Sequence, residues 1–113
     1  MDLNLVVIAG RLAAEPEIRQ FESGSSMMRL LVTVRSGEPR RRIDVIPVVL
    51  WNPSPDLVGE EPVRGRSVWV AGSVQRRFWS QDTGRLSRVE IVAHEVAFRD
   101  HEADLAEEEP LAS

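Results

Sequence analysis

Tryptophan and arginine are the side chains of this 113-residue sequence best suited to holding a ligand. Trp69, Ala71, Arg77 and Trp79 share one parity along a single stretch, while Val68, Val70, Gly72 and Val74 share the other. A period of two is that of a strand with two unlike faces. One face enters a core; the other displays two indoles and an arginine, types that stack on flat bases and fork onto phosphates. A third indole, Trp51, ends an apolar run, and Arg40-Arg41-Arg42 follows a turn at Ser36-Gly37-Glu38-Pro39, where a polyanion would meet three cations. Each has a plainer alternative. Trp51 on a strand apolar on both faces suits a core, Trp69 suits a subunit interface, where tryptophan is enriched, and three arginines suit a solvated loop tip.

Catalytic patterns find little support. His94 and His101 are the only histidines and cysteine is absent, which removes disulfides and thiolate metal sites. The Ser23-Gly24-Ser25-Ser26 turn has neither the lysine nor the following helix of a phosphate loop. Glu15/Glu17 and Glu60/Glu61 fall in predicted loops, where solvated charge is the ordinary reading. The expectation is a protein that is not an enzyme and has no metal or cofactor.

The formal net charge of −4 divides unevenly along the chain. Residues 1–98 hold 13 arginines against 12 acids, whereas residues 99–113 hold one arginine against six acids. The expected division is therefore one domain over 1–98 and a flexible acidic tail over 99–113. All 14 basic residues are arginine, whose planar guanidinium stacks as well as pairs. Residues 1–4 read as the approach to a strand rather than a secretory leader, and no apolar window reaches the roughly 18 residues that span a bilayer. A soluble cytoplasmic protein is expected.

The elements that position these side chains are strands. Residues 3–9 alternate but are apolar on nearly both faces, which calls for cover on both sides. A short strand at 18–21 follows Glu15-Pro16-Glu17, then an alternating row at 27–35 with Arg29 and Arg35 outward, then a run at 43–51 in which Pro47 argues for an edge or a bulge. Residues 52–65 carry three prolines and two glycines, so any helix there is a turn or two. A strand over 68–79 would reach about 40 Å at about 3.3 Å per residue, so it must bend, and Gly72 is the natural place. Residues 75–86 then project as a hairpin turning at Asp82-Thr83-Gly84. The expected fold is all-β.

These residues resemble a known family. Asn4 through Gly10-Arg11-Leu12, Glu15-Pro16-Glu17-Ile18-Arg19, Gly24, Val48-Val49-Leu50-Trp51, Arg64-Gly65-Arg66-Ser67-Val68-Trp69-Val70-Ala71-Gly72, Arg76-Arg77-Phe78-Trp79, Asp82-Thr83-Gly84 and Val89-Glu90-Ile91-Val92-Ala93 agree in order and spacing with bacterial single-stranded DNA-binding proteins. The resemblance implies a five-stranded oligonucleotide-binding (OB) fold barrel with a protruding hairpin between its fourth and fifth strands; many members carry a helix in the connector between the third and fourth, which Pro53 to Pro62 leave short and poorly helical here. It also implies sequence-tolerant binding and protection of single-stranded DNA in replication, recombination and repair, and a homotetramer built as a dimer of dimers. Carried over position by position, Trp51, Trp69 and Trp79 become the stacking candidates, and Arg76, Arg77, Arg11, Arg35 and Arg66 the phosphate-contacting candidates.

The chain also departs from that pattern. Aromatics common in the family are replaced by residues 36–42 and by Val45, and the loop there is shorter. The tail runs Glu107-Glu108-Glu109-Pro110-Leu111-Ala112-Ser113 without the terminal phenylalanine through which family tails recruit replication and repair proteins. A specialised paralogue is expected, and the alternative function is an OB-fold protein-interaction subunit of a replication complex with weak or no DNA binding.

Overall fold

The computed structural model describes residues 1–99. Its elements are β1 (Val6–Leu12), β2 (Glu17–Gln20), β3 (Ser26–Ser36), β4 (Arg42–Trp51), a one-turn helix α1 (Pro55–Gly59), β5 (Ser67–Gln81) and β6 (Gly84–Arg99). The acidic-tail expectation, apart from Arg99, lies outside the described residues.

Pairing runs β1–β5–β6–β4–β3 and returns from β3 to β1, so five strands close on themselves. The second edge of β3 is shared: its first four residues pair with β2, while Val32 and Thr33 face Leu12 and Arg11. Closure removes most of the open edges that a flat sheet would present. Into the barrel point Leu12, Met28, Leu30, Val32, Val48, Val68, Val70, Ile91, Ala93 and Val96, all buried. Each fully buried valine or leucine contributes about 1.5–3 kcal/mol through removal of apolar surface from water. This inward row is the one the alternation predicts. The expected all-β barrel is the observed architecture.

Two glycines permit the closure. A Cβ on Gly10 would overlap the Thr33 carbonyl where β1 crosses to β3, and one on Gly72 would overlap the Val92 carbonyl of β6. At Gly72 the register also slips: Ala71 faces Glu95 but Gly72 faces Ala93, leaving His94 as an extra residue exposed on β6. An extra residue on one strand bends the pair and increases its twist. The bend therefore falls where the sequence places it, although half of the device sits on the other strand.

Beyond the bend, β5 and β6 lose their other neighbours. Pairing of β5 with β1 ends at Gly72, and pairing of β6 with β4 covers only Ile91 and Val92. Residues 75–81 and 84–90 are thus a two-stranded ribbon, closed by Asp82-Thr83 with Gly84 at φ +126°, a conformation that favours glycine. Its root is pinned by Asn4, whose side-chain amide donates to the Val74 carbonyl at 2.7 Å and accepts from the Val74 N–H at 2.8 Å.

Pro47 fits because β4 pairs with β6 only from Val48 onward, so at Pro47 β3 is the one flanking strand. In the connector, Ser54 Oγ accepts from the Leu57 N–H at 3.2 Å and Pro55 opens the single turn of α1. The first strand begins at Val6 and runs to Leu12, later than the alternation suggests. Its outward row stays uncovered: Leu3, Leu5 and Val7 are 90%, 63% and 54% exposed.

Candidate nucleic-acid interface

Register fixes which side chains share each face of the ribbon. Opposite residues in an antiparallel pair project to the same side, so Gln75, Arg77 and Trp79 of β5 stand with Glu90, Arg88 and Leu86 of β6. This is the front face. The Arg88 guanidinium lies over the Trp79 ring at 5.9 Å from its centroid, a diagonal cation–π contact that steadies the indole. Phe78 and Arg76 point to the opposite face, where Arg76 Nη1 donates to Ser87 Oγ at 3.1 Å.

Arg77 leads from the ribbon back to the barrel. It lines an open groove with Glu17, Ile18 and Arg19 of β2 and with Met27 and Arg29 of β3. Met27 faces Trp51 across the β3–β4 ladder. Trp51 is 48% exposed on the outer wall, which removes the core alternative, and its ring meets Phe21 at 5.7 Å between centroids in a tilted arrangement. The outward row of β3 continues through Leu31 to Thr33 and Arg35, where a second groove gathers Arg11, Arg35, Arg64 and Val45. One path thus runs from Trp79 past Arg77 and Trp51, then Arg29, toward Arg35 and Arg11.

The charge along the inner end of this path is mixed but leans positive. Arg19, Arg29, Arg77 and Arg88 stand against Glu17 and Glu90. Glu90 is only 6% exposed, and neither its Oε2 nor Arg88 Nε has a hydrogen-bond partner among the described residues. These two atoms are left for a group outside the described chain to satisfy.

Two of the arginines expected to meet phosphate make hydrogen bonds to the barrel and its connector. Arg66 donates through Nε to the Arg99 carbonyl at 2.7 Å and through Nη2 to Glu60 at 3.3 Å, tying the connector to the end of β6. Arg11 reaches the Gly65 carbonyl and Ser67 Oγ at 3.4 and 3.3 Å while lining the second groove. Trp69 is half-buried between Ala9 of β1 and Ala97 of β6, on a wall separated from Trp51 by the intervening β6.

Comparison with known proteins identifies the family. The model of the single-strand binding protein family matches residues 3–99. The chain belongs to that family. A single-stranded DNA-binding protein of Caldanaerobacter subterraneus subsp. tengcongensis is 33% identical over 103 residues, covering 85% of this chain and 67% of the relative. Single-stranded DNA-binding protein 1 of Nostoc sp. is 31% identical over 80 residues, 71% of this chain and 67% of the relative. The Treponema pallidum single-stranded DNA-binding protein is 28% identical over 100 residues, with 84% of this chain and 57% of the relative covered. Among solved structures, a Plasmodium falciparum SSB complex with ssDNA superposes with a TM-score of 0.76 at 23% identity, covering 88% of this chain and 97% of that one, which places the barrel in the OB fold.

The structure also brings Phe21, Arg19, Arg29, Arg64 and Arg88, which sequence reasoning did not single out as candidates, to the grooves or beside the indoles. Arg29 was visible as an outward residue of an alternating row, and Arg88 follows once the Asp82-Thr83 turn sets Arg77 opposite it. Phe21 gave no such signal, because only the β2–β3–β4 pairing brings it to Trp51.

Proposed function

We infer that this protein binds single-stranded DNA with little sequence preference and protects it during replication, recombination and repair, without catalysis. The observation that carries the reading is the continuity of the path: an arginine-braced indole at Trp79, a bridging Arg77, and the Trp51–Phe21 pair on the wall beyond. Every base has a π-face, so aromatic platforms accept any sequence, while guanidinium groups between them neutralise phosphates. Trp79, Trp51, Arg77 and Arg35 are assigned to this path with Arg29 and Arg88, and Arg11 closes its far end. Arg66 is assigned to the frame.

The same reading includes self-assembly, with a homotetramer built from dimers as the expected form. Residues 6–10 of β1 pair with β5 on one edge only, and the exposed Leu3, Leu5 and Val7 lie beside that open edge. A second copy adding its own β1 would pair the edge and cover the apolar row. Trp69 sits on the adjoining wall and fits that contact better than the strand path. No described helix is long and apolar enough to cross a membrane, and the nucleoid of the cytoplasm is the setting that suits this activity.

Titration of intrinsic tryptophan fluorescence with poly-deoxythymidine at two salt concentrations tests the binding. Quenching with an affinity that falls as salt rises is expected, since neutralised phosphates release counterions. Absence of both would refute it and favour a protein-docking module.

A further inference from the structure

The geometry points to a second strand-binding platform on the back of the ribbon, built from Phe78, Arg85 and Arg76. This deepens the proposed function and rests on it: the ribbon would hold two segments of single-stranded nucleic acid, one on each face, rather than one.

Phe78 is 51% exposed, and the Arg85 guanidinium lies over its ring at 4.5 Å from the centroid. That is a closer cation–π contact than the Trp79–Arg88 pair on the front. The two pairs use neighbouring residues of β5 and opposite diagonals to β6, so each face carries one aromatic braced by one arginine. Arg85 has no ion-pair partner among the described residues. Its planar face is therefore open to a base as a third layer, and its N–H groups to a phosphate.

The rest of the back face fits the same occupant. Val74, Arg76, Phe78 and Ser80 of β5 stand there with Arg85, Ser87, Val89 and Ile91 of β6. The face holds two arginines and no carboxylate, whereas the front includes Glu90. Ser87 holds Arg76 alongside the Phe78–Arg85 pair at 3.1 Å. Exposed Val74 and Val89 extend an apolar floor toward the barrel. A positively charged face without carboxylates, with one aromatic platform, suits a polyanion bearing flat rings better than it suits another copy of a chain whose net charge over residues 1–98 is near zero. The two faces look in opposite directions, so a short strand held on the front cannot reach the back; a long one, or a second molecule, can.

The test moves an indole from one face to the other in the full chain. The pair of variants is Trp79→Phe alone and Trp79→Phe with Phe78→Trp, and the difference in their emission reports the back face. Oligo-deoxythymidines of about 8 and about 40 nucleotides bracket the length held by one OB fold. The introduced indole is expected to be quenched by the longer strand at saturation, and Arg85→Glu in the same background is expected to reduce that quenching at least threefold. Binding of the long strand, seen as retarded mobility, with unchanged emission from the introduced indole would overturn the back-face platform while leaving the front path standing. Failure of the unaltered protein to bind either length would instead overturn the proposed function. A change in the introduced indole's emission with protein concentration in the absence of DNA would assign the face to contact between copies and also overturn the platform. Circular dichroism of each variant confirms that the barrel is retained.

Discussion

Truncation of Trp79 to alanine separates base stacking from phosphate neutralisation at a single side chain. The indole lies on a two-stranded ribbon outside the barrel core, so its removal leaves the inward row from Leu12 to Val96 intact. What is lost is one stacking platform, worth about 1–3 kcal/mol per base. Release of Arg88 adds little, because at 5.9 Å its contact is near the limit at which cation–π attraction matters. A loss of about 1.5–2.5 kcal/mol, or about 10- to 70-fold in Kd, is expected for a short oligonucleotide held by one subunit. The slope of log affinity against log salt should stay the same, since no phosphate contact is removed. Thermal stability should change by less than about 0.5 kcal/mol, as for other surface substitutions away from caps and cores. Fluorescence anisotropy of a labelled oligo-deoxythymidine of about 10 nucleotides, measured across a salt series, reads both quantities. A loss below twofold with the fold intact, or an altered salt slope, would refute the assignment of Trp79 as a stacking platform.

Three further outcomes follow from the same geometry. Arg77→Ala should lower affinity at low salt and reduce the magnitude of the salt slope by about 0.7, because one phosphate contact on a single strand is lost, and the same anisotropy series checks it. Gly72→Ala should destabilise the barrel by about 1–3 kcal/mol or more, since the added methyl group meets the Val92 carbonyl and the Ala93 Cα at the bulge; calorimetry should show a fall in Tm of about 5–20 °C. Trp69→Ala should lower the mass measured by light scattering at low protein concentration while the affinity of each subunit for a short oligonucleotide changes less than twofold, because Trp69 lies on the wall beside the open β1 edge.

Alternation made much of the fold legible before any coordinates. Val68 and Val70 against Trp69, or Leu30 and Val32 against Arg29 and Leu31, assign inside and outside by parity alone, and the barrel keeps those assignments. Gly72 was legible as the bend because an over-long strand needs one. The extra residue that completes it, His94, was not, since a bulge exists only relative to a partner's register. The site divides the same way. Residues joined through the local hairpin, such as Arg77 and Arg88, can be paired from the turn, but Phe21 and Trp51 meet through three paired strands. Arg66 looked like any other outward arginine until Glu60 and the Arg99 carbonyl, brought by the connector and the last strand, were seen to engage it.

The claim at the centre of this account is that one strand path joins the front of the ribbon to the outer wall of β3 and β4. Photocrosslinking of oligo-deoxythymidine bearing 5-iododeoxyuridine, followed by mass spectrometric mapping on the full chain, tests it most directly. Crosslinks at Trp79 and at Trp51 or Phe21, lost together when salt displaces the DNA, are the predicted result. Crosslinks confined to Trp69, or found at Trp79 with none on the β2–β4 wall, would contradict it.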